Sequence, residues 1–385
     1  MIPAPLSWNG VTARRMARQA LTEPSTGLDP AAIAAALCGV HAQVLSAAEL
    51  SIGRRIAGAT RAQVRKALWE ERTLVKTFGP RGTVHLLPAA DLPTWTGALS
   101  ALPAPVPSHP EGVRFDPRQA EEVIAAIGDA LADAGLTVDE LTQAIAERTG
   151  PWAVEQTMEA FGDRWPRWRQ LTAVAAHRGV LCFGPDKGRR VTYTSPHRWL
   201  PGLRPADGDV ALRTLLTSYL HAYGPATPQH FARWLGITPR QAAGLFGKLD
   251  GALERVEMDG EAGWTLQGDT ATPDPFRGIR LLPYFDAYVV AAQPRTRLYP
   301  GAAAGRALSP TGQAGNYPVL LVDGVVGGVW HPRRSGRKLA ITVEPLRELT
   351  APQLRQLDDE VDLVGSVMEA KATLTVGTVT VGAHA

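Results

Sequence analysis

The chain has 385 residues, a formal net charge of +3 and 45% hydrophobic residues. This length is typical of two to four packed domains, and the ordinary composition excludes a wholly disordered chain. Two cysteines are too few for a disulfide framework and indicate a reducing compartment. No apolar run reaches the length of a membrane span, and no secretory signal is visible. The sequence therefore predicts a cytoplasmic protein without a membrane partner.

The basic residues are mostly arginine, since only six of the 40 are lysine. A GC-rich coding bias would raise arginine together with alanine, glycine and proline, all of which are abundant. The functional alternative is contact with phosphates and bases, where a planar guanidinium outperforms an ammonium group. The positions at which the arginines cluster distinguish the two explanations.

A pattern of about three amphipathic helices and a two-stranded hairpin occurs three times along the chain. The predicted helices are Ala13–Leu21, Ala31–Cys38, Ser46–Ala57 and Arg61–Glu70, then Arg118–Ala134, Val138–Arg148 and Pro166–His177, then Val210–Ala222, Thr227–Leu235 and Pro239–Leu249. Asp29 and Thr137 are the predicted N-caps of the helices that follow them. The predicted hairpins pair Leu74–Phe78 with Thr83–Leu87, Val180–Phe183 with Arg190–Thr194, and Leu253–Met258 with Gly263–Leu266. Three helices followed by a ribbon are typical of a winged helix, so we predict such units over 1–110, 111–205 and 206–273.

Beyond Pro273 the composition favours strands. The predicted strands are Ile279–Leu282, Tyr288–Ala292, Val319–Val322, Val325–Trp330, Lys338–Val343 and Thr373–Val381, with one helix over Ala351–Ala370. The predicted fold class is α+β and mainly helical. Three tandem winged-helix units form a concave basic channel, and residues 274–385 form a β-rich region with one helix.

Several familiar sites are absent from the sequence. There is no Cys-x-x-Cys, no His-Glu-x-x-His, no Walker loop and no Gly-x-Ser-x-Gly motif. We therefore expect no bound metal, no cofactor and no α/β-hydrolase chemistry.

The arginines do cluster, at the end of one helix and in three turns that contain glycine. We predict that the DNA-binding residues are Arg54, Arg55, Arg81, Lys187, Arg189, Arg190, Arg333, Arg334, Arg337 and Lys338. Solvated charge at loop tips is the plain alternative. Repetition of basic turns on winged-helix units favours phosphate binding over that alternative.

Short motifs spread through the chain resemble the AlkZ/YcaQ-like bacterial DNA glycosylases, which are built from tandem winged helices. The motifs are Val40-His41-Ala42-Gln43, Arg81-Gly82-Thr83-Val84-His85-Leu86-Leu87-Pro88, Gly224-Pro225-Ala226-Thr227, Phe231-Ala232-Arg233-Trp234-Leu235-Gly236, Leu281-Leu282-Pro283-Tyr284-Phe285-Asp286-Ala287-Tyr288 and Gly327-Gly328-Val329-Trp330. Each motif alone is weakly specific. Their common order and spacing cover nearly the whole chain.

The resemblance implies that His41 and Gln43 are catalytic. The family motif is glutamine, an apolar residue, then glutamine or aspartate. His41 stands in place of the first glutamine, and a motif with histidine at this position resembles a branch on the AlkZ-like side of the family. Gly39 ends one helix and a capping box at Ser46 begins the next, which places both residues in a connection. An extended backbone there would point residues i and i+2 to the same side. A purely structural role, with His41 packed below the helices, is the alternative from the sequence alone.

The resemblance also implies a monofunctional DNA glycosylase that excises N-alkylated purines from double-stranded DNA. A guanine alkylated at N7 is already cationic and can depart unprotonated, so His41 and Gln43 need only orient and deprotonate a water. We expect selectivity for such lesions, including bulky or crosslinked ones, a monomeric enzyme, and self-resistance to a DNA-alkylating natural product. The alternatives are a non-enzymatic winged-helix regulator and a toxin-sequestering protein.

The basic segment His331–Lys338 joins the strand that ends at Trp330 to Leu339–Val343. Its cations repel one another, which favours an anionic partner. We predict that this turn enters a DNA groove beside the lesion and orients large adducts. An exposed, solubilising turn is the alternative.

Overall fold

The computed structural model describes residues 6–103, 110–160, 163–249 and 251–383. The chain is a mixed α+β protein that divides into two compact units. The first unit comprises the chain up to Ala67 and again from Leu216 onward, and the second comprises Leu68–Leu215. The two units reflect how the chain packs and do not test the predicted winged-helix boundaries, which stay a prediction. None of the helices in the described ranges is long and apolar enough to cross a membrane.

The first unit begins with short helices and one very short strand. They are α1 (Trp8–Arg18), α2 (Pro30–Ala36), β1 (Val40–His41), α3 (Leu45–Gly53) and α4 (Arg61–Trp69). The carboxylate of Asp29 accepts a hydrogen bond from the backbone of Ala32, which confirms the predicted N-cap of α2. The predicted capping box at Ser46 is wrong. Helix α3 starts one residue earlier without a side-chain cap, because Glu49 is buried and pairs with arginines instead.

The second unit holds the hairpins of the first two repeats. Its elements are β2 (Leu74–Phe78), β3 (Val84–Pro88), α5 (Leu92–Ser100), α6 (Pro117–Leu131), β4 (Leu136–Thr137), α7 (Val138–Thr149), β5 (Gln156–Ala160), β6 (Asp163–Pro166), α8 (Thr172–His177), β7 (Cys182–Lys187) and β8 (Arg190–Thr194). The cap of α7 is confirmed, since Thr137 and Glu140 form a capping box. Strands β4, β8 and β7 form one sheet in that order. The hairpin of β5 and β6 lies within the second repeat and had no counterpart among the predicted elements.

Equivalent phenylalanines of the first two predicted hairpins pack together in the second unit. The ring centroids of Phe78 and Phe183 are 5.3 Å apart. Each phenylalanine precedes a Gly-Pro pair in its own hairpin. The internal repeat seen in the sequence therefore brings like positions into contact.

The third repeat consists of three helices and a ribbon. Its elements are α9 (Gly208–Tyr223), α10 (Pro228–Leu235), α11 (Pro239–Gly247), β9 (Leu253–Met258) and β10 (Glu261–Leu266). Thr227 and Thr238 each begin a helix with a capping box and a proline at its first turn. The rings of Tyr219 and Trp234 pack with centroids 4.9 Å apart and join the helices.

The C-terminal region forms a five-stranded sheet with helices on both faces. Its elements are β11 (Ile279–Leu282), α12 (Ala287–Ala291), α13 (Arg295–Leu298), α14 (Ala302–Ala307), β12 (Val319–Val322), β13 (Val325–Ser335), β14 (Lys338–Pro345), α15 (Ala351–Val367) and β15 (Lys371–Val376). The strands are neighbours in chain order, and only β14 and β15 run parallel. Because side chains alternate along a strand, Leu281 packs with α15 whereas Leu282 packs with α12 and α13.

Two predictions for this region are wrong. It was expected to hold one helix, and the described residues of this region hold four. Tyr288–Ala292 was predicted as a strand but lies mostly in α12. The carboxylate of Asp286 accepts a hydrogen bond from the backbone N–H of Tyr288 and caps that helix, which overrides the β-like run of apolar residues.

Candidate functional site

The connection that carries His41 and Gln43 lies between α2 and α3. Gly39 has a φ of 90°, a left-handed conformation that favours glycine and redirects the chain after α2. His41 ends β1 and is buried, with 8% of its surface exposed, whereas Gln43 lies in a bend and is exposed. Between them Ala42 is fully buried and anchors the connection. The connection is thus extended at His41, as predicted, and carries one buried and one exposed polar residue.

An aromatic residue from a distant part of the sequence adjoins His41, and a second one packs beside the first. The ring centroids of His41 and Phe285 are 6.3 Å apart, with their planes inclined at 37°. The ring of Tyr284 lies 6.3 Å from that of Phe285. Both Tyr284 and Phe285 are partly buried. An imidazole and two aromatic rings therefore form one cluster in the first unit.

A buried ion pair joins α3 to the turn that carries these aromatics. The guanidinium of Arg55 donates two hydrogen bonds of 2.8 Å to the two carboxylate oxygens of Asp286. The hydroxyl of Ser51 donates a third, of 2.7 Å. Burial alone would raise the pKa of Asp286, but the charge of Arg55 and these hydrogen bonds outweigh it and lower the pKa. Asp286 is therefore ionised and orients the turn, and it has no free oxygen for acid–base work.

The structure contradicts the prediction that Arg54 and Arg55 bind DNA. Their side chains are 2% and 0% exposed, respectively. Arg54 donates a hydrogen bond of 2.7 Å to the carboxylate of Glu360 on α15, and the same carboxylate accepts the backbone N–H of Leu281. Both arginines hold α3 against its neighbours. Helix α3 is buried on all sides from Ala47 to Gly53, which the predicted amphipathic pattern did not reveal.

Glu49 is a second buried carboxylate on α3 that pairs with arginines. Its oxygens lie 3.1 Å from Nε of Arg61 and 2.6 Å from Nε of Arg65. Glu49 is fully buried, whereas about half of the Arg65 side chain is exposed. The carboxylate thus fixes two guanidinium groups on α4.

The predicted basic residues of the second unit lie at hairpin turns. Arg81 is exposed and has a φ of 60° in the turn between β2 and β3. Lys187, Arg189 and Arg190 are exposed at the turn between β7 and β8. Lys187 and Arg190 approach acidic residues of α7, to within 3.0 Å of Glu140 and 3.8 Å of Asp139 respectively.

The C-terminal basic segment is mostly paired strand. Ser335 pairs with Lys338, so the turn consists of two residues, Gly336 and Arg337. Arg334 donates a hydrogen bond of 3.1 Å to the carbonyl of Met368, at the end of α15. Arg333, Arg337 and Lys338 are exposed. The predicted turn over His331–Lys338 is wrong in its bounds, because the strand pairing continues to Ser335.

Phe285 and Asp286 belong to one of the sequence motifs, but no role was predicted for either residue. The network of Ser51, Arg55 and Asp286 was missed. The one signal in the sequence was the acidic residue Asp286 directly after the aromatic residues Tyr284 and Phe285. An acidic residue between aromatic residues and an apolar segment is unusual in a protein core. Nothing in the sequence indicated its partner.

The chain is similar to known DNA glycosylases over most of its length. The family model described as DNA glycosylase AlkZ-like matches residues 34–367. The chain is 32% identical over 338 residues to the interstrand DNA cross-link repair glycosylase of Streptomyces sahachiroi, covering 84% of this chain and 87% of that one. The solved structure of Streptomyces sahachiroi DNA glycosylase AlkZ has a TM-score of 0.80 and 28% identity, and covers 97% of this chain and 100% of its own.

Proposed function

Because the chain belongs to the AlkZ-like DNA glycosylase family and is a monofunctional DNA glycosylase, we propose that its substrates are N-alkylated purines. The preferred lesions are cationic N7-alkylguanines, including bulky and crosslinked adducts. His41 and Gln43 are the proposed catalytic residues.

The state of the carboxylates around the connection carries this proposal. Glu49 and Asp286 are the acidic residues of α3 and of the turn beside His41, and both are buried in arginine pairs. A carboxylic acid that protonates a departing base must be neutral and reach that base, and Asp286, ionised and held by two guanidinium hydrogen bonds, does neither. Glu49 is occupied by the guanidinium groups of Arg61 and Arg65. The arrangement favours a leaving group that needs no proton. A purine alkylated at N7 meets this requirement because it already carries a positive charge.

The proposed reaction is hydrolysis at C1′ of the damaged nucleotide. The bond from C1′ to N9 breaks, and its electron pair neutralises the departing base. A water oxygen bonds to C1′ while one of its protons passes to His41, since imidazole accepts protons near neutral pH. Gln43 is exposed and can hold that water by a neutral hydrogen bond. The products are an abasic sugar and the neutral alkylated base.

Crosslinked lesions are included because a relative that is 32% identical is named an interstrand DNA cross-link repair glycosylase. We further propose a role in self-resistance to a DNA-alkylating natural product. Expression of the chain in a sensitive bacterium should then raise survival under a crosslinking alkylator. A host that gains no protection would contradict the proposed role in resistance without touching the reaction itself.

For DNA binding we propose three winged-helix units over residues 1–110, 111–205 and 206–273. The recurring order of helices and hairpin supports this interpretation, as does the three-stranded sheet of β4, β8 and β7. The exposed cations of the turns would contact phosphates. They are Arg81, Lys187, Arg189, Arg190, Arg333, Arg334, Arg337 and Lys338. A monomer bound along double-stranded DNA is the proposed complex.

One experiment tests the reaction. The chain is incubated with duplexes that carry N7-methylguanine, an N7–N7 guanine crosslink or uracil, and the DNA is then heated in alkali to cut abasic sites. We expect strand breaks at the first two lesions and none at uracil. Equal release of uracil would contradict the cationic preference. Binding without breaks at any lesion would support the regulator, and protection only when the chain is present before alkylation would support the toxin-sequestering protein.

A further inference from the structure

The ring of Phe285 stands beside the residue that we propose as the catalytic base. Its centroid is 6.3 Å from that of His41, and the two rings are tilted by 37° rather than stacked flat. Phe285 is partly buried. The ring of Tyr284 extends the aromatic surface, with its centroid 6.3 Å from that of Phe285. An aromatic wall thus borders the site at which the sugar would react.

The backbone of Phe285 is held in a conformation that aromatic residues rarely adopt. Its φ is 54°, in the left-handed region, which is unfavourable for a residue with a side chain. Strained residues of this kind persist where the surroundings over-determine them, and they concentrate at functional sites. A lone packing role would not require this strain, because an ordinary extended turn could also bury a phenylalanine.

The surroundings do fix Phe285 in place from both sides. Gly315 approaches so closely that a Cβ on it would lie 2.7 Å from Cδ1 of Phe285, and its own φ of 100° also requires glycine. The backbone N–H of Phe285 donates to the carbonyl of Gly315 at 3.3 Å. The next residue, Asp286, is held by Arg55 and Ser51 on α3, the helix that follows the catalytic connection. One network therefore sets the distance between the ring and His41.

We propose that the face of Phe285 contacts the reacting nucleotide and stabilises the positive charge that develops on the sugar as the base departs. The face of an aromatic ring is negative, and it attracts a cation within about 6 Å of its centroid. This inference rests on the proposed function, because it needs a cationic sugar beside His41. It assigns a role to the aromatic wall. As the base departs, positive charge passes to C1′, and the ring of Phe285, beside the imidazole that deprotonates the water, stabilises this charge.

The test replaces Phe285 in the full chain by 4-fluoro-, 3,5-difluoro- and 3,4,5-trifluorophenylalanine. Fluorine draws electron density from the ring face and barely changes its volume, so packing is kept while the attraction for a cation weakens. Single-turnover excision of N7-methylguanine and affinity for the duplex are measured for each variant. We expect the logarithm of the rate to fall with each fluorine, by roughly 2- to 30-fold in total, at unchanged affinity. The same series at the fully buried Phe231 is the matched control and should leave the rate unchanged.

Each outcome of this test is informative. Equal rates for all fluorinated variants would overturn the proposal and leave Phe285 a packing residue. Loss of affinity at an unchanged rate would also overturn it, because the ring would then bind the damaged base rather than the reacting sugar. A wild-type chain that does not release N7-methylguanine would contradict the proposed function instead. Phe285→Leu, which keeps an apolar side chain, should be slower than any fluorinated variant.

Discussion

At the scale of single residues, His41 and Gln43 have different environments that suit different tasks. His41 is buried and borders an aromatic ring, so its imidazole has a restricted position. Gln43 is exposed, so its amide can reorient around a water. A base benefits from a fixed position, because proton transfer depends steeply on geometry. In the proposed mechanism, this difference suits a histidine at the first position of the motif to the role of base.

We expect His41→Ala and Gln43→Ala each to slow single-turnover excision of N7-methylguanine, and the double variant to be nearly inactive. Loss of an oriented or activated water should cost roughly 10²–10⁴-fold. Duplex affinity should change little, as measured by fluorescence anisotropy. Gln313→Ala, at an exposed glutamine elsewhere in the first unit, is the control. Full activity in the double variant would remove the proposed site.

We expect the ion pair of Arg55 and Asp286 to stabilise the fold as well as to position the turn beside His41. Asp286→Asn should lower the free energy of unfolding by about 3–5 kcal/mol, because it leaves Arg55 buried without its counter-charge. Urea unfolding measures this loss. The double change Arg55→Met and Asp286→Leu removes both charges and should recover part of it. If the single change is neutral, the ion pair contributes nothing to the fold.

The same pair has a defined pH dependence. The folded pKa of Asp286 lies below its value in the unfolded chain, so folding favours the charged carboxylate. The stabilisation is therefore fully present above the unfolded pKa, near 4, and is lost as the pH falls through the lower folded pKa.

At the scale of elements, helix α3 joins the connection that carries His41 and Gln43 to the rest of the first unit. Four of its polar contacts point inward, from Glu49, Ser51, Arg54 and Arg55. Such a helix cannot bind DNA with these side chains. It instead fixes the start of α4, the aromatic turn and α15 relative to one another. The precision of the site thus depends on a helix that contributes no catalytic group.

The hairpin of β13 and β14 divides its arginines between two tasks. Consecutive side chains on a strand point to opposite faces, and Arg334 uses its face to reach the last turn of α15. Arg333 then lies on the other face, and Arg337 lies in the two-residue turn. Arg333 and Arg337 have no such contact with α15 among those described, so they are the arginines chosen for the test.

We expect Arg333→Ser with Arg337→Ser to impair excision of a bulky or crosslinked N7-guanine adduct far more than excision of N7-methylguanine, because the hairpin orients only large adducts. The two rates are compared under single turnover. Point changes are used because shortening the segment would remove paired strand residues. An equal loss on both substrates would make the hairpin a simple phosphate clamp, and no loss would make it a solvated surface.

At the scale of the whole molecule, net charge conceals the distribution of charge. A net +3 includes cations that are neutralised in the interior, among them Arg54 and Arg55. The exposed cations of the hairpin turns are therefore a larger share of the basic surface than the composition suggests. The concave channel and the monomeric state stay predictions.

Binding of undamaged duplex should weaken steeply with salt, with a slope near −0.9 per phosphate contact. Arg81→Ala and Arg189→Ala should each reduce the slope by about one unit, because each removes one phosphate contact. Fluorescence anisotropy between about 50 and 200 mM salt measures it. Arg347→Ala, at an exposed arginine outside these turns, should not change the slope. A salt-independent affinity would contradict phosphate binding and support the toxin-sequestering protein.

The sequence by itself determined the local elements and the chemistry-bearing connection. Caps at Asp29, Thr137 and Thr227 begin helices because a side-chain oxygen meets free N–H groups only a few residues away. The order of three helices and a hairpin follows from such short-range signals. The position of His41 and Gln43 between two helices was predictable on the same basis.

Only the tertiary structure decided which surfaces meet. Arg55 and Asp286 are 231 positions apart in the chain, and the sequence of α3 does not record that its arginines face a buried carboxylate. The same holds for Phe285, which adjoins His41 because the ion pair and Gly315 hold its turn there. Burial and ion pairing depend on long-range packing. In the sequence, an arginine that binds phosphate therefore looks the same as an arginine that supports the core. That ambiguity separates the predicted DNA contacts at Arg54 and Arg55 from their observed structural role.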